Sequence, residues 1–405
     1  MAGRLATMAG QLAYVKLYSN LLPHAELGIY FFLLSLSNGF FALAYYPLDQ
    51  YQQTHLYEYR RQGISLRSFL PANVKLLGVL LAGIAIALPV WYAIDGKVHY
   101  ELLLCLLLAE ATHIVNSIRN FLNNLEHKAL AAGFFAADAI ARPITLIVLS
   151  VFVVVTPAKV LAMALLSMIV VAIAIVPLAR RSGIFAGRTV SPPSIRNMLF
   201  FASPIAAAAV LGWLQLQGFR FLTLFGFSDT IGVYATVAGI GGSAVLATSP
   251  ILVQMYQPDL FKTNGAFTPR YLLYTLGWSI AVAVVVAIFA IPVTRLLTNA
   301  SFVPYAYASL FGVCVEGCTL VLGGLVCYFN LRKRTDVFFV SSCLALVICA
   351  GLVAVLIALR MVSPYTIGAT LCISQAVSLG YAYFVFLRMF GAESKTNDAK
   401  VLAQS

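Results

Sequence analysis

The chain has 405 residues, of which 61% are hydrophobic and only 10% charged, with a mean hydropathy of +0.92. A soluble domain carries roughly 25% charged residues, so this chain lacks the means to cover a water-facing surface and reads as an all-α integral membrane protein. The net charge of +12 would suggest nucleic acid for a soluble protein, but here it reports the basic loops of a cytoplasmic face, and nucleic acid is not an expected partner.

Apolar runs near the length of about 20 residues that a membrane helix needs predict twelve spans. They cover 3–21, 27–47, 70–94, 101–123, 129–154, 158–178, 196–219, 229–250, 270–295, 303–327, 337–359 and 365–388. The first carries Lys16 and runs directly into the second, so it reads as a retained span and not as a cleaved leader. The fourth is the most polar. Glu110, His113, Ser117, Asn120 and Asn124 recur every three or four residues, with Asn116 and Asn123 beside them, which sets them on one helix face. Such a face points at water or at protein, not at lipid, and cavity lining and interhelical hydrogen bonding both stay open for it. Glu110-x-x-His113 imitates one arm of a di-metal carboxylate site, but the second arm is missing and no metal or other cofactor is expected.

The fifth span holds Asp138 and Arg142 four residues apart, acid first, a spacing that suits a helical ion pair, with Pro143 adjacent as a source of a kink. Residues 179–195 contain Arg180, Arg181 and Ser191-Pro192-Pro193 with no apolar run, and read as a cytoplasmic linker. The predicted organisation is therefore an N-terminal six-helix bundle (1–178), this linker (179–195), a C-terminal six-helix bundle (196–390) and a cytoplasmic tail (391–405). The seventh span carries Gln215, Gln217 and Arg220. The tenth carries Glu316 among apolar neighbours, with Gly317, Gly323 and Gly324 predicted to let another helix approach closely. The seven cysteines lie in apolar segments and predict neither disulfides nor a metal site.

Basic residues orient the spans. With a cytoplasmic N-terminus, nineteen Lys and Arg fall at inner ends and only Lys97, Lys159, Arg295 and Arg360 at outer ends, which places both termini in the cytoplasm. The remaining three cations, Lys16, Arg142 and Arg220, lie inside spans. A charge there costs at least about 2.5–3.5 kcal/mol, so each should face protein, a watery cavity or, by snorkelling, the interface. Two of them occupy matching places in a repeat. Lys16 precedes Gly28-Ile29-Tyr30 as Arg220 precedes Gly232-Val233-Tyr234, by twelve residues in each case and at an offset of 204. Pro47 with Tyr51-Gln52 and Pro250 with Tyr256-Gln257 extend the match, and six intervening spans make the repeat parallel. A cationic chamber of this kind calls for an anionic counter-charge, of which a phosphate is the simplest.

The opening residues, Gly3-Arg4, Gln11-Leu12-Ala13, Lys16-Leu17-Tyr18, Leu21-Leu22 and Glu26 through Leu34, resemble the first two helices of bacterial O-antigen (Wzx-type) polysaccharide flippases. These belong to the multidrug/oligosaccharidyl-lipid/polysaccharide exporter superfamily. The resemblance is specific over the first 34 residues and otherwise rests on the hydropathy pattern. It implies a MATE-like pair of six-helix bundles that alternates between inward- and outward-open states in the bacterial inner membrane. The implied substrate is an undecaprenyl-pyrophosphate-linked oligosaccharide, moved from the inner to the outer leaflet for O-antigen, capsule or exopolysaccharide synthesis. On that reading Lys16, Arg220, Arg142, Gln215, Gln217 and Asn120 would bind headgroup and sugar. Glu110, His113, Asp138 and Glu316 would couple transport to a proton or sodium gradient. The expected partners are the lipid-linked oligosaccharide, membrane lipid and polysaccharide polymerase or assembly proteins. The alternative within the superfamily is a cation or drug antiporter. A membrane enzyme is not expected, because every outer connection is too short to hold catalytic groups.

Overall fold

A computed structural model describes residues 2–95, 99–124, 127–181, 183, 185–189 and 194–402. Among these the regular structure is helical, apart from a single parallel bridge between Ile64 and Arg188. Helix is what hydrocarbon demands, because it satisfies every backbone group within its own segment.

The helices are α1 (Ala2–Leu21), α2 (His24–Phe40), α3 (Tyr46–Arg61), α4 (Leu70–Asp95), α5 (Glu101–Asn124), α6 (Lys128–Ser150) and α7 (Pro157–Arg181). They continue as α8 (Ile195–Gln217), α9 (Ser228–Lys262), α10 (Thr268–Leu297), α11 (Ser309–Leu331), α12 (Thr335–Ala358) and α13 (Pro364–Leu402). Every predicted span falls on a helix. Among the described residues, ten segments are long and apolar enough to cross a membrane, and those at α1 and α8 are not among them. The chain is a multi-pass membrane protein.

The second span differs from its prediction. A five-residue π segment, Phe41–Tyr45, joins α2 to α3, and the helix runs on to Arg61, well past the predicted end at residue 47. Pro47 does not stop it. It stands two residues after the π segment, inside a continuous helix whose bonding pattern is already shifted there. Further along, the loop after α3 is tied to the described part of the predicted linker. Arg188 N–H donates to the Gly63 carbonyl at 2.8 Å and Ser65 N–H to the Arg188 carbonyl at 3.1 Å. Gly187 has φ 114° there, and a Cβ on it would strike the Gly63 carbonyl. Ser191-Pro192-Pro193, like Lys97, lies outside the described residues.

The chain groups into two compact units. The first comprises Met1–Trp213, Arg220–Thr236 and Arg295–Ala300; the second comprises Leu214–Phe219, Val237–Thr294 and Ser301–Ser405. Within the first, α1 packs along α6, and α5 packs against α2, α3 and α7. Within the second, α13 packs against α11 and α12, around Tyr328, Phe329 and Phe386.

The sequence repeat has a structural meaning inside the first unit. At the N-terminal ends of α2 and α9, a Cβ on Gly28 would collide with the carbonyl of Ser228, and a Cβ on Gly232 with the carbonyl of His24. Ser228 stands four residues before Gly232 as His24 stands four before Gly28, so the two contacts exchange under the 204-residue offset. Both copies carry glycine because two backbones cross there at a distance that excludes any side chain. The second unit repeats the device: Gly241 meets the Ser309 carbonyl, and Gly312 meets the Ala238 carbonyl. Of the glycines predicted beside Glu316, Gly317 approaches Ser279 and Gly324 approaches Tyr271, whereas Gly323 has open space around it.

Candidate functional site

The three intramembrane cations are placed differently. Lys16 is exposed, on the face of α1 opposite the buried Tyr14, Val15, Tyr18 and Ser19. Arg220 follows α8 on a 3-10 segment, Gly218–Phe225, and is half-buried. Its Nη1 donates to the Phe31 carbonyl at 3.4 Å, and the guanidinium carbon stands 5.4 Å from the Phe31 ring centroid. A guanidinium over an aromatic face is held by the ring quadrupole as well as by its hydrogen bond. Arg142 donates to Asp138 on its own helix, at 2.8 Å from Nη2 and 3.4 Å from Nε, so the i, i+4 pair forms and neutralises both members locally.

Between the two arginines lies a block of aromatic side chains from α1 and α2. Tyr14, Tyr18, Tyr30 and Phe31 are all buried, with adjacent ring centroids 5.3–5.8 Å apart, and the Tyr14 and Tyr30 hydroxyls meet at 3.5 Å. Tyr30 lies in electrostatic range of both Arg142 and Arg220. Two of the three predicted cations therefore converge on the tyrosine of the repeated Gly-x-Tyr.

The polar face of α5 points into protein. Glu110, His113 and Ser117 are buried, and Asn120 is half-buried. Asn123 and Asn124 lie toward the end of the helix, beyond the buried cluster. Opposite the face stand Tyr45 of the π segment and Asp49 and Gln52 of α3. His113 Nδ1 lies 2.7 Å from Asp49 Oδ1, and both residues are almost fully buried. Ser117 Oγ is 3.3 Å from Asp49 Oδ1 and 3.0 Å from Gln52 Oε1. The Tyr45 ring stacks on the His113 imidazole, with centroids 5.1 Å apart. Sequence reasoning missed Asp49 and saw Gln52 only as part of the repeat, because it ended the second span at Pro47 and assigned the residues beyond it to a loop; Tyr45, inside the predicted span, was not singled out. The available signal was the spacing of Tyr45, Asp49 and Gln52, which continues one helical face.

In the second unit, Gln215 is buried and each end of its amide has a partner. Its Nε2 donates to Ser374 Oγ at 2.7 Å, its Oε1 accepts from Gln375 at 3.1 Å, and its backbone carbonyl accepts from Cys349 Sγ at 3.5 Å. Gln217 is half-buried. Glu316 lies on α11 with its Cγ packed toward Gly242 of α9. Among the described residues, no group of three or more His, Cys, Asp or Glu side chains is placed to hold a metal ion.

No family model matches the chain, and neither does any curated protein. Solved structures do match its fold. An inward-facing multidrug-resistance MATE family transporter of the MOP superfamily superposes with a TM-score of 0.64 at 13% identity, covering 98% of this chain and 99% of that one. The lipid II flippase MurJ, in an inward closed conformation, gives 0.62 at 12% identity over 95% and 86% of the two chains. The MATE multidrug transporter DinF-BH gives 0.57 at 13% identity over 96% and 94%. Along nearly its whole length, this chain has the MATE-like all-helical fold that drug transporters of the MOP superfamily share with a lipid II flippase.

Proposed function

We propose that the protein is a transporter that flips an undecaprenyl-pyrophosphate-linked oligosaccharide from the inner to the outer leaflet of the bacterial inner membrane, by alternating between inward- and outward-open states. The observation that carries the reading is Arg220, a guanidinium kept inside a membrane protein on an aromatic and carbonyl support instead of being replaced by an apolar residue. Retaining a charge at such depth is costly, and an anionic headgroup is the ligand that repays it. The resemblance of the first 34 residues to O-antigen flippases supports the same substrate class, as does a fold shared with a lipid II flippase. Lys16, exposed on α1, is the second candidate for the pyrophosphate or an acidic sugar. Arg142 contributes through its pair with Asp138, so the net charge it offers is small. On this reading both termini are cytoplasmic, residues 179–195 link the two halves, and polymerase or assembly proteins receive the product.

Reconstituted vesicles carrying the lipid-linked oligosaccharide in one leaflet test this. Arg220→Ala is expected to lower the flipping rate at least about tenfold, the loss of one charge-assisted hydrogen bond to the headgroup. Lys16→Ala is expected to lower it less, whereas full activity in both variants would remove the cations from the mechanism.

A second reading, a cation or drug antiporter, is favoured by the buried carboxylates Asp49 and Glu110 and by the several multidrug transporters that share the fold. Resistance conferred on a drug-sensitive strain, with no change in lipid-linked oligosaccharide, would select it.

A further inference from the structure

The second unit gathers basic residues at one level. A core of Leu272, Leu325, Tyr328, Phe329, Val337 and Phe386 joins the start of α10, the end of α11, the start of α12 and the later part of α13. The turn between α9 and α10 and the turn between α11 and α12 therefore lie side by side. A direct contact ties them: Arg332 Nη1 donates to Asn264 Oδ1 at 3.2 Å. Both turns close on a left-handed residue, Asn264 at φ 48° and Lys333 at φ 57°. Gly265 follows at φ 88°, where a Cβ would strike the Tyr328 ring. The Arg332 guanidinium stands 5.2 Å from that same ring, so it is held from two sides.

Charge at this place is unbalanced. Lys262, Arg270 and Lys333 are exposed and make no ion pair among the described residues. The acids described in the flanking helix turns are Asp259 and Asp336, and Arg334 holds Asp336 at 2.9 Å. The rim is also aromatic. Tyr256, Phe267 and Tyr274 group with ring centroids 4.9–6.3 Å apart, as residues at the headgroup level of a bilayer do. Beyond Arg270 the outer face of α10 turns apolar. Leu273, Ile280 and Val284 share the face that Arg270 heads and are 66%, 57% and 54% exposed. A cation at the head of an apolar stripe matches an anionic headgroup with its acyl chain alongside. A soluble anion would use the cation and leave the stripe uncovered.

We propose that Lys262, Arg270, Arg332 and Lys333 form a binding site for the headgroup of an anionic phospholipid, whose acyl chain lies along Leu273, Ile280 and Val284. Arg332, fixed by Asn264 and Tyr328, offers the phosphate a guanidinium already in place, and the three exposed cations add to its attraction. On the orientation proposed above, this end meets the cytoplasmic leaflet, whose anionic lipids attract basic segments. The site uses none of the residues assigned to the flipped substrate, so it stands whether or not the protein moves an oligosaccharide.

The test uses purified full-length protein in an uncharged detergent, with dioleoyl phosphatidylglycerol added in mixed micelles. Tm is expected to rise with this lipid, because a ligand for the native state stabilises it in proportion to occupancy. Dioleoyl phosphatidylcholine and inorganic phosphate, each at the same concentration, are expected to leave Tm unchanged. Added salt is expected to weaken the rise, since exposed charges are screened. Lys262→Gln, Arg270→Gln and Lys333→Gln remove exposed cations and guard against loss of fold. Each is expected to weaken the apparent affinity for phosphatidylglycerol about fivefold, and the three together on the order of a hundredfold. Lys159→Gln, on α7 in the first unit, is expected to bind as the wild type does. The proposal is overturned by any of three results: no rise in the wild type, an equal rise with phosphatidylcholine or inorganic phosphate, or wild-type affinity in the triple variant.

Discussion

Two buried polar clusters, one in each unit, show how differently a membrane protein uses polar side chains. Around Gln215 each amide group meets a complementary neutral partner: donor to Ser374, acceptor from Gln375, carbonyl to the Cys349 thiol. Around Asp49 the groups are ionisable, acceptors crowd one hydroxyl, and several buried atoms have no protein partner among the described residues. The first arrangement holds helices together and is complete as it stands. The second leaves both donors and acceptors buried without a hydrogen-bond partner among the described residues. Polarity alone therefore does not describe a buried cluster inside a membrane; whether each polar end finds a partner separates the two cases.

Substitutions should expose the contrast in graded fashion. His113→Ala leaves a buried carboxylate oxygen without its nearest partner and is expected to cost about 1–3 kcal/mol. Unfolding in a graded denaturant checks it, and an unchanged midpoint would mean the contact adds nothing to stability. Gly28→Val and Gly232→Val each force side-chain atoms into a facing carbonyl at the α2–α9 crossing. Overpacking of that kind is expected to cost about 1–3 kcal/mol, read as a lowered Tm in size-exclusion-purified protein. Equal losses at the two positions would support their equivalence in the repeat. Gln215→Met should cost only about 0.6–1.7 kcal/mol, the range for interhelical hydrogen bonds in membranes. Arg334→Ala breaks an exposed pair with Asp336 at 2.9 Å and is expected to leave Tm unchanged.

Much of this could be read along the chain. Hydropathy located the helices because a membrane span announces itself by apolar length. The Asp138–Arg142 pair was legible from spacing alone, since one helix contains both partners. The glycine-tyrosine repeat was visible as a repeat, but the reciprocal backbone crossing behind it was not, because nothing in local sequence says which carbonyl a glycine will meet. Gln215 was selected as a ligand candidate, yet its partners Cys349, Ser374 and Gln375 lie 134–160 residues away and could not be paired with it in advance. Asp49 escaped attention for a different reason. Falling hydropathy after Pro47 mimics a helix end, while the helix runs on through the π segment and past the proline. Arg220 was chosen for its charge; its aromatic support came from Phe31 and Tyr30, close to two hundred residues earlier.

The most direct measurement of the transport reading is the leaflet distribution of undecaprenyl-linked oligosaccharide after depletion of the protein in its own cell. Accumulation on the cytoplasmic face, reversed by the wild-type chain and not by Arg220→Ala, is the expected result. Unchanged display of the oligosaccharide at the outer leaflet after depletion would contradict it.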